Sequence, residues 1–83
     1  MYIHLGNNYI VSSKDIIAIL NIEPPISKDI KEIIEIAKME KNIFNINEKG
    51  KEKALIICID KVYLSPISST TLFRRSENFY KEV

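Results

Sequence analysis

The run Ala54-Leu55-Ile56-Ile57-Cys58-Ile59-Asp60 places apolar side chains at six successive positions before its first charge. Neighbouring side chains of a strand point to opposite faces, so a run that is apolar at every position can be satisfied only where both faces are covered. This run predicts a buried central strand, the core of a sheet. An 83-residue chain is enough for one small domain, which buries proportionately little of its surface. A partner subunit is one source of reinforcement.

The remaining elements are read around that strand. "MYIHLG" and "YIVSS" are short β-rich runs separated by Gly6-Asn7-Asn8, residues that tolerate left-handed backbone, so Met1 to Ser13 reads as a hairpin. Lys14-Asp15 forms a bend. "IIAILNIE", Ile16 to Glu23, is apolar without helical spacing and stops at Pro24-Pro25, which cannot donate to a ladder, so it reads as a third strand.

Ser27 is a candidate N-cap, with Asp29 in the first turn and Lys38 and Lys41 toward the far end of a helix. At about 100° per residue, Ile30, Ile33, Ile34 and Ala37 form one stripe, whereas Met39 falls nearly opposite and Ile36 between. A helix with a single covered side does not need those two residues. They read either as incidental surface or as a subunit contact. "IFNI" is a strand, and a charged turn around Gly50 leads into the central run. After a tight turn at Asp60-Lys61, "VYLS" alternates, Val62 and Leu64 one way and Tyr63 and Ser65 the other, as in a half-covered strand. Pro66 ends it, and Ser68 or Ser69 caps a last helix. There Leu72, Phe73, Ser76, Phe79, Tyr80 and Val83 share about 120° of arc, opposite Thr70, Arg74, Glu77, Asn78 and Lys81.

The expected fold is thus α+β, a mainly antiparallel sheet with two helices in the order β-β-β-α-β-β-β-α. No repeat, low-complexity tract or linker divides it, so one domain over residues 1–83 is expected. At 46% hydrophobic and 28% charged residues the chain belongs with folded proteins. No window approaches the roughly 20 apolar residues of a spanning helix, and no basic start leads into a long apolar run. The cytoplasm is the expected location, with no membrane as partner.

Catalytic chemistry finds little support. His4 is the single histidine and lies fifty-four positions from the single cysteine, Cys58, which gives no metal-ligand spacing. Cys58 inside "LIICID" is a packing residue unless an electropositive neighbour activates it. Ser65, Ser68, Ser69, Thr70 and Thr71 have no oriented base, and capping explains them better. Asp15, Asp29 and Asp60 each sit close to a lysine, in a turn or at a helix start, where acids are solvated. Two glycines, Gly6 and Gly50, cannot build a phosphate loop or a dinucleotide fingerprint. No enzyme, cofactor or metal is expected.

What remains is positive charge in two places, the turn Lys49-Gly50-Lys51-Glu52-Lys53 and the helix residues Arg74, Arg75 and Lys81. Twelve Lys and Arg against eleven acids give a formal charge of only +1. The balance is uneven, with five Lys against seven acids in residues 1–48 and seven cations against four acids in residues 49–83. Each patch alone is ordinary solvated charge. Copies that join their cations into a continuous band would add phosphate contacts and bind nucleic acid with steep salt dependence. No aromatic run interleaves with these cations, which favours duplex backbone over stacked single strands.

Three blocks, "MYIHLG", "VSSKDIIAI" and "YLSPISSTTLFRR", together resemble the RemA/RemB family of small extracellular matrix regulators of Gram-positive bacteria. The resemblance covers most of the chain. It implies a cytoplasmic, non-enzymatic protein with a fold similar to the LytTR DNA-binding domain, ring-like self-association, and transcriptional control of biofilm matrix genes. Carried over by position, the family's basic turn Gly-Arg-Arg-Thr-Arg-Ala corresponds to Gly50-Lys51-Glu52-Lys53-Ala54, one residue shorter. Lysines replace arginines and lose the planar fork suited to bidentate contact. The family's Ser-Ala-Asn-Arg-Ile corresponds to Ser12-Ser13-Lys14-Asp15-Ile16, with an acid where the arginine would stand.

The expectation is a homo-oligomer that holds double-stranded DNA through Lys51, Lys53 and Lys14, with Arg74 and Arg75 as secondary contacts and Ile36 and Met39 between subunits. The alternative is a self-assembling interaction module that modulates a RemA-like protein without binding DNA itself.

Overall fold

The computed structural model describes residues 2–46 and 50–77, and begins with a hairpin of β1 (Tyr2–Gly6) and β2 (Tyr9–Ser12). Asn7 and Asn8 close it at φ 46° and 70°, both in the left-handed region that a two-residue hairpin turn of this kind demands. Pairing slips between His4 and Gly6, leaving Leu5 without a partner on β2. A 3₁₀ turn, Ser13–Asp15, supplies the bend at Lys14-Asp15, and Ser12 Oγ accepts from Lys14 N (3.3 Å) at its start.

β3 (Ile16–Asn21) follows, two residues shorter than expected, with Ile22 N still donating to the Lys53 carbonyl (3.1 Å) before Pro24. α1 (Lys28–Met39) is capped by Ser27, whose Oγ accepts from Ile30 N at 3.3 Å. Then come β4 (Ile43–Asn45), β5 (Ala54–Cys58), β6 (Val62–Ser65) and α2 (Ser69–Glu77). Ser68 is the residue that caps α2, its Oγ accepting from Thr71 N at 3.3 Å. The expected order and class are observed.

β3, β5, β6 and β4 lie side by side in that order, β5 antiparallel to both neighbours and β4 parallel to β6. β5 is interior, and both its faces are covered. Ala54, Ile56 and Cys58 pack with Ile3, Leu5, Val11 and Leu72, so the hairpin and α2 cover one face. Leu55 joins Val62, Leu64 and Ala37, flanked by Ile30, Ile33 and Ile34, so α1 covers the other. Three layers result, and the period-2 alternation of β5 serves two separate cores.

Two expectations are corrected. β6 is covered on both faces rather than one, because the hairpin lies over the face that carries Tyr63 and Ser65. Phe73 is 48% exposed although it shares the apolar arc of α2, because among the described residues Leu72 is the one that reaches the core there. Lys49, Asn78, Phe79, Tyr80, Lys81 and Val83 lie outside the described residues.

Candidate nucleic-acid interface

The basic turn enters β5 from the end of the sheet formed by Asn21, Ala54 and Ser65, which are paired in register. Gly50 has φ +96°, a backbone conformation that a glycine adopts freely. Lys53 is clamped by its main chain, its N donating to the Ser65 carbonyl (2.8 Å) and its carbonyl accepting from Ile22 N (3.1 Å). Its side chain is exposed, as is that of Lys51. Glu52, the acid between them, is half-buried and accepts from Asn45 Nδ2 at 3.3 Å. Rigid backbone under an exposed ammonium is a favourable arrangement for a phosphate contact, because little chain order remains to be lost.

Lys38 of α1 borders a recess together with Gly50, Glu52, Pro24 and Ile26, which brings a third cation to this end of the sheet. The sequence had suggested Lys38 only as a C-terminal charge on its helix, since nothing local signals that α1 crosses the sheet beside this loop.

Lys14 is placed elsewhere. Its turn meets the opposite end of β5, where Ile16 pairs with Cys58 and Ile59 N donates to the Asp15 carbonyl (2.9 Å). Five residues of β5 separate it from the Lys53 end, roughly 17 Å of strand. Asp15, Asp60 and Lys61 line a polar recess there with Tyr2, Cys58 and Tyr63. Burial, and then the Asp15 and Asp60 carboxylates, push the Cys58 thiol up to about 11, so it stays protonated. Burial first, and then Cys58, Asp60 and Tyr9, also raise the Tyr63 phenol.

Of the paired arginines, Arg74 is exposed, whereas Arg75 Nη1 donates to the His4 carbonyl at 2.7 Å and ties α2 to β1. Ile36 and Met39 are 56% and 80% exposed, off the stripe that packs on the sheet. An aromatic group absent from the sequence-level expectation joins Tyr9, Tyr63 and Phe44 across β2, β6 and β4, with ring centroids 6.1 and 5.9 Å apart. Lys61 Nζ lies 5.6 Å from the Phe44 centroid. These residues are far apart in sequence, so no local pattern announces them.

Among the described residues, no set of three or more His, Cys, Asp or Glu side chains gathers to hold a metal, and no helix is long and apolar enough to cross a membrane.

Comparison with known proteins extends over most of this architecture. The chain is 32% identical over 81 residues to extracellular matrix regulatory protein B of Bacillus subtilis (strain 168), an alignment covering 98% of this chain and 96% of the relative. Residues 2–75, which include the hairpin, the basic turn and Arg74-Arg75, match the family of extracellular matrix regulatory protein A-like (RemA-like) proteins. A match that runs through every layer of the fold and through the loop carrying Lys51 and Lys53 establishes that the chain belongs to the RemA-like family.

Proposed function

We propose that this protein is a cytoplasmic, non-enzymatic regulator of extracellular matrix genes that self-associates and holds duplex DNA through its backbone phosphates. The observation that carries this is the loop at the Ala54 end of the sheet. Lys53 projects there from main chain fixed by Ser65 and Ile22, with exposed Lys51 two residues before it, in a chain whose relative is named a matrix regulator. Lys51 and Lys53 are the primary contacts and Arg74 a secondary one. Lys14 lies at the other end beside Asp15, and Arg75 is engaged by β1, so neither is assigned a primary role. With a formal charge of +1, one copy has too little charge to hold a polyanion, and repeated copies supply the band of cations.

Duplex binding at two salt concentrations tests this. Affinity is expected to fall steeply with salt, and Lys51→Ala/Lys53→Ala to flatten the slope of log K against log salt by up to about 2 for each copy in contact with DNA. Absence of binding to any duplex at low salt refutes it.

A second reading is a self-assembling module that acts on a RemA-like protein without gripping DNA. Glu52 between the two lysines, and the separation of Lys14 from them, favour it. Intact assembly with no duplex binding at low salt selects this alternative.

A further inference from the structure

The polar recess at the Cys58 end of the sheet has a volume of about 390 Å³, within the range of sites that take small molecules. It is assembled from separate parts of the chain, with Tyr2 from β1, Ser12 from β2, Asp15 from the 3₁₀ turn, and Cys58, Asp60 and Tyr63 from around the turn between β5 and β6. Ile59 N donates to the Asp15 carbonyl (2.9 Å), a main-chain bond that holds the two acid-bearing turns side by side. Each acid alone reads as an ordinary solvated turn residue, and only the fold pairs them.

The charges of the recess are unanswered. Among the described residues, neither the Asp15 nor the Asp60 carboxylate forms an ion pair or a hydrogen bond. Lys61 also lines the recess, but its Nζ lies 5.6 Å from the Phe44 centroid and is paired with neither acid. The Cys58 side chain is 6% exposed and lines the recess with no hydrogen-bond partner among the described residues. A concave surface of one sign focuses its field more than a flat one. That field is felt within the recess, since after burial Asp15 and Asp60 are what push the Cys58 thiol up, and Asp60 contributes in the same way at Tyr63. Tyr2 and Tyr63 add phenol oxygens and ring faces, both acceptors for an ammonium group. Asp15, Asp60 and Cys58 do not gather closely enough to hold a metal ion, so the positive charge that fits is one carried on an organic chain.

We propose that this recess binds a small aliphatic diamine, one ammonium group on each carboxylate and the methylene chain against the tyrosine rings. Two carboxylates call for two ammonium groups, which a free diamine carries and a single lysine side chain does not. Asp15 stands where the RemA-like pattern has an arginine, so the acid that makes the site belongs to this chain rather than to that pattern. The site lies at the opposite end of β5 from Lys53, away from the loop assigned to DNA.

The test is isothermal titration calorimetry of the full chain with 1,4-diaminobutane, every solution brought to one ionic strength with sodium chloride. Saturable binding at one site per chain is expected, with butylamine, which carries a single ammonium group, weaker by about ten-fold or more. Asp15→Asn/Asp60→Asn is expected to abolish saturation below about 10 mM, whereas Glu32→Gln/Glu35→Gln, which removes the same charge from α1, leaves binding unchanged. Lys61→Met removes the opposing charge of the recess and is expected to tighten binding. Far-UV circular dichroism checks the fold of each variant. The assignment is overturned if the wild type shows no saturation, if butylamine binds as tightly as the diamine, or if the α1 pair weakens binding as much as the recess pair does. Should the asparagine pair fail to fold, Lys61→Met decides, and an affinity no tighter than that of the wild type overturns the site. No duplex enters the measurement, so its failure leaves the proposed function standing.

Discussion

Replacing Ser65 by alanine removes one hydroxyl that joins two layers of the protein. The side chain is 0% exposed. Its Oγ donates to the Leu5 carbonyl (2.7 Å) and accepts from Ile67 N (3.0 Å). Leu5 is the residue that the slipped pairing of the hairpin leaves without a cross-strand partner, and it is itself fully buried, so water cannot take over its carbonyl. A buried acceptor stripped of its donor costs about 1–3 kcal/mol, and the partly buried Ile67 amide about 1 kcal/mol more. Alanine is close in volume, so the cavity adds little. The expected loss is therefore about 2–4 kcal/mol, which for a chain of this size lowers Tm by roughly 10–25 °C. Urea denaturation at one fixed protein concentration measures it, since self-association makes apparent stability depend on concentration. The midpoint should fall with little change in slope. A loss below about 0.5 kcal/mol would show that the hairpin does not depend on this bond and that the interlayer reasoning is mistaken.

Cys58 makes stability fall in alkali. Its folded pKa is raised from 9.0 to about 11, so the folded chain keeps a proton that the unfolded chain has already released. The contribution is fully present below pH 9 and is lost as pH rises toward 11, with a ceiling of about 2.7 kcal/mol. Cys58→Ala should lack that part of the decline when unfolding of both proteins is followed from pH 8 to 11, and parallel curves would refute the assignment. Ser27→Ala should cost about 1 kcal/mol in urea midpoint through loss of the α1 cap, without altering duplex binding. In the same binding assay, Lys14→Ala is expected to leave the salt slope unchanged, because its turn sits at the far end of β5 from Lys51 and Lys53. A slope flattened as much as by the loop lysines would place the duplex across both ends of the sheet.

Much of the fold is legible in short windows of sequence. The unbroken apolar run at Ala54–Cys58 demands cover on two faces, the asparagine pair demands a left-handed turn, and Ser27 and Pro24-Pro25 mark where one element stops and another begins. Each of these signals is spent within a few residues, where backbone sterics, alternation at period 2 and helical spacing are the governing physics. Ile36 and Met39 also declared themselves in this way, by departing from the period of their own helix.

Tertiary structure decided everything that depends on which elements become neighbours. Ser65 reads as the polar side of a half-covered strand until the hairpin folds over it, and Arg75 reads as a free cation until β1 brings the His4 carbonyl to it. Tyr9, Phe44 and Tyr63 have no common pattern until three strands carry them together. Lys14 and Lys53 belong to one basic inventory on paper but to opposite ends of a sheet in space. A local pattern determines which way a side chain points from its own element; what it then meets is set by strand order and layer packing, which are joined by contacts between residues far apart in the chain.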